Sequence, residues 1–406
     1  MSVAVEMPAY AGPSKPTSSY FRNRYALQGF PCSNSFIANH YCGSSYLTRK
    51  LPTTGLFKLL SAVSNNCEES SPISESSLVG TCCETEGIEL GWPRLEPGIL
   101  EVSQVAGRGS YGTVYFAQER GRNDTVAVKK LSKTRSKVRR SRVLDKLRQE
   151  VSIMQELQPC PQVARLFGCY EDFDNGYIVM EALQGGSLFE LVSSRPVDEM
   201  LLSRACKAIV EFLAACHDSD ILYGDVKPTN FMFSAGTDSL RAIDFGCSQR
   251  QPKSDRYFST RSGTPAYFAP EVFRKCYTLE ADMWSLGMSM YQIITGHLPW
   301  WGDVTHVTPA EVMEKVLYQK IPYYESEWRG YSPELLDLVQ NLLVHNPANR
   351  LKAAEALHHP AISLSSPSKK SSWRRQPSHV NEADRLAAEF LGAFPEDQED
   401  SLWLPA

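Results

Sequence analysis

Apolar residues fall into runs that read as buried strands and one helix. Val126-Ala127-Val128, ending on Lys129, reads as a strand, and Tyr177-Ile178-Val179-Met180-Glu181-Ala182-Leu183 reads as a second, buried one. Between them Leu147, Val151 and Met154 recur at helical spacing, so that segment predicts a helix that also carries Glu150. A short helix is expected over 381–394. No apolar run reaches the ~18 residues that a membrane-spanning helix needs, and no internal repeat is visible.

The chain has 406 residues, a net charge of −4 and ordinary hydrophobic content, enough for one large domain with tails. There is no basic excess to indicate a nucleic-acid partner. The 11 cysteines include no C-x-x-C pair, which fits reduced thiols rather than a disulfide framework. Residues 1–66 are rich in Ser, Thr, Asn and aromatics, and Glu6 is the only acid before Glu68. Such a segment, without a sustained apolar stretch, is expected to be an organelle transit peptide, with a chloroplast favoured over a mitochondrion or an untargeted cytoplasmic tail. Residues 67–95 read as an acidic, polar linker, 96–360 as the main domain and 361–406 as a C-terminal tail. Lys133, Arg135, Lys137, Arg139, Arg140 and Arg142 form a basic run, expected to be a solvated loop or helix face that can dock acidic groups. Lys369–Arg375 has the basic and aromatic character of a calmodulin target, but Pro377 cuts any helix short.

The densest chemistry lies in Tyr223-Gly224-Asp225-Val226-Lys227-Pro228-Thr229-Asn230, followed by Asp244-Phe245-Gly246. Asp225 can orient a hydroxyl and accept its proton. Lys227, two residues on, can offset phosphate charge, and Asn230 and Asp244 offer the oxygen ligands that Mg²⁺ takes. Upstream, Gly107-Arg108-Gly109-Ser110-Tyr111-Gly112-Thr113-Val114 places glycines where backbone N–H groups can approach phosphates without side-chain clashes.

Together these stretches resemble the signature of eukaryotic protein kinases: a glycine-rich loop, a strand lysine, a catalytic loop and a metal-binding triplet. The resemblance continues through Gly263-Thr264-Pro265-Ala266-Tyr267-Phe268-Ala269-Pro270-Glu271, Asp282–Gly287 and Asn346–Arg350. It implies an α+β, two-lobed fold: a small antiparallel-sheet lobe with one main helix, and a larger helical lobe. It implies that ATP is held by the Gly107–Gly112 loop and by Lys129, which pairs with Glu150. Val114, Ala127 and Met232 would enclose adenine, Met180 would be the gatekeeper, and the backbones of Glu181 and Leu183 would bond the base. Asp225 and Lys227 would be catalytic, and Asn230 and Asp244 would bind Mg²⁺. Glu271 would pair with Arg350, and Asp282 would anchor the catalytic loop.

Lys227-Pro228 and Gly263-Thr264-Pro265 resemble serine/threonine rather than tyrosine kinases. Leu298–Gly302, Tyr324–Trp328 and Ala353–Pro360 resemble the calcium/calmodulin-dependent and plant calcium-dependent group, although these residues include no EF-hand loop pattern. Two departures carry weight. Gly224 stands where the family usually has an arginine that receives an activation-loop phosphate, for which Thr260 is the corresponding site. Ser187 and Thr229 stand where relatives that prefer basic substrates place acids. The expected function is ATP-dependent phosphorylation of protein Ser/Thr hydroxyls. The alternative is a pseudokinase scaffold, motivated by Tyr223 and Gly224.

Overall fold

The computed structural model describes residues 89–363 except 110–111, 134–139, 194–196, 255 and 302–306. Ser110, Tyr111, the expected presequence, the 369–375 stretch and the helix expected over 381–394 lie outside the described residues. The small lobe is a five-stranded antiparallel sheet in the order β1 (Leu100–Gly109), β2 (Gly112–Glu119), β3 (Thr125–Ser132), β5 (Asn175–Glu181), β4 (Leu166–Glu171). Helix α1 (Arg140–Glu156) lies against one face. Side chains alternate along β3. Ala127 and Leu131 join the core that contains Leu147, Val151 and Met154 of α1, while Val126 and Val128 join a smaller cluster with Ala117 and Val179. The same period of two turns Lys129, at the centre of β3, toward α1.

The large lobe is mainly helical. Its principal helices are α2 (Glu199–Asp218), α3 (Glu280–Thr295), α4 (Pro309–Tyr318) and α5 (Pro333–Leu342). Asp198 caps α2 by accepting the Met200 N–H, and Thr308 with Glu311 forms a capping box at the start of α4. Helix α3 is apolar and buried around most of its circumference, as a central core helix should be.

Two short ribbons position the chemistry. Strand β7 (Phe231–Phe233) pairs with β8 (Leu240–Ala242), and β6 (Ile221–Leu222) pairs with β9 (Gln249–Arg250). The catalytic loop joins β6 to β7, and the Asp244 triplet joins β8 to β9. The two pairings therefore bring both loops side by side at the cleft. Among the described residues no helix is long and apolar enough to cross a membrane.

Residues 89–94, inside the stretch expected to be a linker, fold onto the sheet. Leu90 and Trp92 are buried, and Arg94 forms a parallel bridge with Glu171. The basic run is also not uniformly solvated. Lys133 is fully buried, paired with the Glu171 carboxylate and donating to the Asp172 carbonyl at 2.6 Å. Arg140 is tied to Glu89. A count of charges cannot show this, because each partner comes from a distant segment.

Candidate active site

Lys129 is 5% exposed, and its Nζ donates to Glu150 Oε1 at 2.6 Å and to Asp244 Oδ1 at 2.8 Å. Burial alone would lower its pKa, but the two carboxylates outweigh burial and hold it above the ordinary lysine range. Asp244 is held below the usual carboxylate range: burial pushes it up, but the charge and hydrogen bond of Lys129 prevail. Its Oδ1 also accepts the Gly246 N–H at 3.0 Å.

The glycine loop is a β1–β2 hairpin in which Gly107 faces Val114, Arg108 faces Thr113 and Gly109 faces Gly112. Gly112 has no room for a side chain, since a Cβ there would lie 2.2 Å from the Lys130 carbonyl. The Arg108 side chain is exposed.

Asp225 is the hub of the catalytic loop. Its Oδ1 accepts the Thr264 N–H at 2.9 Å and the Thr264 hydroxyl at 2.7 Å. Its Oδ2 accepts the Asn230 amide at 2.9 Å and pairs with Lys227 Nζ at 2.8 Å. Lys227 also donates to Thr264 Oγ1 at 2.8 Å. Burial opposes the charge on Lys227, but Asp225 raises its pKa. The Asn230 nitrogen is spent on Asp225, whose backbone carbonyl it also reaches at 2.9 Å, so its oxygen is the atom that could serve as a metal ligand. That oxygen and the second oxygen of Asp244 form a hard donor set that fits Mg²⁺.

The loop's backbone is held from below. Asp282 accepts the N–H groups of Tyr223 and Gly224 at 2.9 and 2.8 Å, and contacts His217 at 3.1 Å. Tyr223 packs edge-on against Phe212 and Phe245, with ring centroids 5.0 and 5.6 Å away, which buries Phe245 beneath the cleft. Gly224 has φ +81°, and a Cβ there would lie 2.8 Å from the Cys247 carbonyl. Glu271 and Arg350 form a buried bidentate pair at 2.5 and 3.0 Å.

The protein kinase domain family model matches residues 100–362, nearly two thirds of the chain. The chain belongs to the protein kinase family. It is 33% identical over 264 residues to calcium-dependent protein kinase 24 of Oryza sativa subsp. japonica, covering 64% of this chain and 50% of that protein. It is 34% identical over 273 residues to calcium-dependent protein kinase 4 of Arabidopsis thaliana, covering 66% and 53%. With calcium-dependent protein kinase SK5 of Glycine max it shares 32% identity over 297 residues, covering 71% and 57%. The chain thus spans about half the length of the curated relatives it matches.

Of the residues expected around adenine, two are neighbours across the sheet. Ala127 sits opposite Met180 across β3 and β5, and both are buried, as is Leu183. Val114 and Met232 are partly buried and pack against the same core. The Glu181 N–H is used by the Arg165 carbonyl at 2.8 Å, so only its own carbonyl remains for a base. Thr264 is not among the expected site residues, yet it touches both Asp225 and Lys227. Its signal is the Gly263-Thr264-Pro265 run, which the sequence marks as part of the kinase signature and of the serine/threonine group without giving Thr264 a role at the site.

Proposed function

We propose that this chain is an active Mg²⁺- and ATP-dependent protein serine/threonine kinase. The observation that carries this reading is the Asp225–Lys227–Thr264–Asn230 network facing Lys129, Glu150 and Asp244 across the cleft. A pseudokinase scaffold would not need all of these groups in register.

Catalysis in this reading is positioning and electrostatics. Lys129, fixed by Glu150, holds the ATP phosphates beneath the glycine loop. Asn230 and Asp244 would hold Mg²⁺, which neutralises phosphate charge when bound. Asp225 aligns the acceptor hydroxyl and takes its proton, and Lys227 offsets charge on the transferred group. Thr264, bonded to both, fixes their separation. Proteins with Ser or Thr acceptors are the substrates.

Activity in this reading is largely independent of a phosphate on Thr260. Gly224 offers no side chain to receive one, and the Thr260 hydroxyl instead donates to Gln249 Oε1 at 2.9 Å. Phe258 and Tyr277 exchange backbone bonds of 2.7 and 3.2 Å and stack their rings, which adds a second neutral anchor for the segment. The acid-poor, Ser/Thr-rich composition of residues 1–66 supports a plastid as the site of action.

The test is incubation of the purified full chain with Mg²⁺ and γ-labelled ATP and generic acceptor proteins, followed by phosphoamino-acid analysis. Label on serine and threonine supports the reading, and absence of transfer with nucleotide still bound refutes it. Residues 1–66 fused to a fluorescent reporter should enter plastids; a cytosolic reporter would refute the location.

A further inference from the structure

A strap of chain, Glu89–Trp92, joins the sheet to helix α1 just before the region that the family model covers. Its anchor is Glu171 at the end of β4. This fully buried carboxylate accepts the N–H groups of Glu89, Leu90 and Trp92 at 2.9, 3.0 and 2.8 Å, and pairs with buried Lys133. Burial would raise its pKa, yet these hydrogen bonds, led by Leu90, hold it below the usual carboxylate range. The strap is seated in a notch made by Gly176. A Cβ at that glycine would lie 2.9 Å from both Leu90 Cδ1 and Trp92 Cζ3.

From this seat the strap reaches α1 through two arginines. Arg140, at the start of the helix, makes a forked contact with the Glu89 carboxylate: Nε at 3.0 and 3.1 Å, Nη2 at 2.6 Å. Arg148, two residues before Glu150, donates Nη2 to the Glu89 carbonyl and Nε to the Leu90 carbonyl at 3.4 Å. Asp145 accepts Arg148 Nη1 at 2.9 Å and holds the guanidinium in place. On its other side α1 meets the start of the activation segment. Gln149 donates to the Ser248 carbonyl at 2.8 Å, and Arg250 contacts Ser152 at 3.2 Å and Glu156 at 2.6 Å. A segment that only completed the core would need Leu90 and Trp92 alone. The two arginine contacts instead link the strap to the helix whose one catalytic duty is to present Glu150 to Lys129.

We propose that Glu89–Trp92 is a positioning strap: through Arg140 and Arg148 it holds helix α1 where Glu150 meets Lys129, and so sets the affinity and turnover for ATP. This rests on the kinase reading above. The strap acts on the nucleotide side of the site only, because none of its contacts touches Asp225, Lys227 or Thr264.

The test uses the full chain and three variants: Glu89→Ala, Arg140→Ala/Arg148→Ala, and Arg140→Lys/Arg148→Lys. Each is measured for ATP Kd by fluorescence titration, for kcat, for KM of ATP and of acceptor, and for folded fraction at the assay temperature. The double alanine variant should weaken ATP binding and raise its KM by about fivefold, as expected for losing two partly exposed charged contacts. Its acceptor KM should stay unchanged and its folded fraction above nine tenths of wild type, a threshold set roughly by the small effect of surface changes. Glu89→Ala should move the same quantities in the same direction by a smaller factor. The double lysine variant, which keeps the charges, should retain most of the wild-type ATP affinity. Folded alanine variants with wild-type ATP Kd and KM would overturn the proposal, as would equal changes in ATP and acceptor KM. Wild-type protein that binds ATP but transfers nothing would refute the kinase reading instead, and the Kd comparison would still decide on the strap.

Discussion

Restoring the family's arginine at position 224 should damage this protein rather than activate it. Gly224 sits at φ +81°, and a Cβ would approach the Cys247 carbonyl to 2.8 Å, closer than real Cβ atoms come. A left-handed non-glycine residue costs roughly 1–2 kcal/mol, and displacing a packed backbone carbonyl adds about 1–3 kcal/mol. Even Gly224→Ala should therefore lose about 2–5 kcal/mol. For a domain of this size each kcal/mol lowers the melting temperature by about 2–4 °C, so the expected drop is roughly 4–20 °C. Gly224→Arg carries the same backbone cost. Activity should fall as well, because the Gly224 N–H anchors the loop to Asp282 at 2.8 Å and Asp225 follows directly. The assay is thermal unfolding with and without Mg²⁺-ATP, beside kcat for both variants. A Gly224→Arg protein that melts with wild type, and whose activity rises once Thr260 is phosphorylated, would refute the reasoning.

Thr260→Ala and phosphatase-treated wild type should both keep most of their turnover, since the Gln249 contact carries no charge; a tenfold loss, about 1.4 kcal/mol of transition-state stabilisation, would show that a phosphate clamp exists elsewhere. Arg350→Ala should destabilise the fold by about 3–5 kcal/mol by leaving Glu271 buried and unpaired, and a shift below about 1 kcal/mol in urea unfolding would contradict that. Lys129 and Lys227 have folded pKa values raised above the ordinary lysine value of about 10.4. Their protonated state is thus favoured, and its contribution is complete below that value and lost only as pH rises through the folded values. ATP affinity and kcat should therefore show no lysine limb up to about pH 9.5, and a limb that disappears in Lys129→Met but is centred near pH 8 would contradict the paired-lysine geometry.

What was legible in the sequence depended on how locally each feature is encoded. Asp225, Lys227 and Asn230 lie within one short loop, so their shared chemistry shows in their spacing. Lys129 stood out as the polar end of an apolar strand, and Glu150 as the acid on a helix of clear period. The pairing of these two across 21 positions needed the family resemblance. The Thr264–Asp225 bond spans 39 positions, and the bond from Glu89 to Glu171 spans 82. No local period reports such contacts. Lys133 was misjudged for the same reason: a lysine in a basic run looks solvated until Glu171, 38 positions on, is folded against it. The strap residues were missed because Leu90 and Trp92 are too few apolar positions to define an element. Only the notch left by Gly176 makes them core.

The most direct test compares wild type with Asp225→Asn in single-turnover transfer from Mg²⁺-ATP to a Ser/Thr acceptor. The substitution keeps the size of the side chain and removes the charge that accepts the hydroxyl proton. The account predicts phosphotransfer by wild type, a loss of at least about 100-fold in the variant, and an ATP Kd that is unchanged. Equal transfer by both proteins, or none by a wild type that binds ATP, would contradict it.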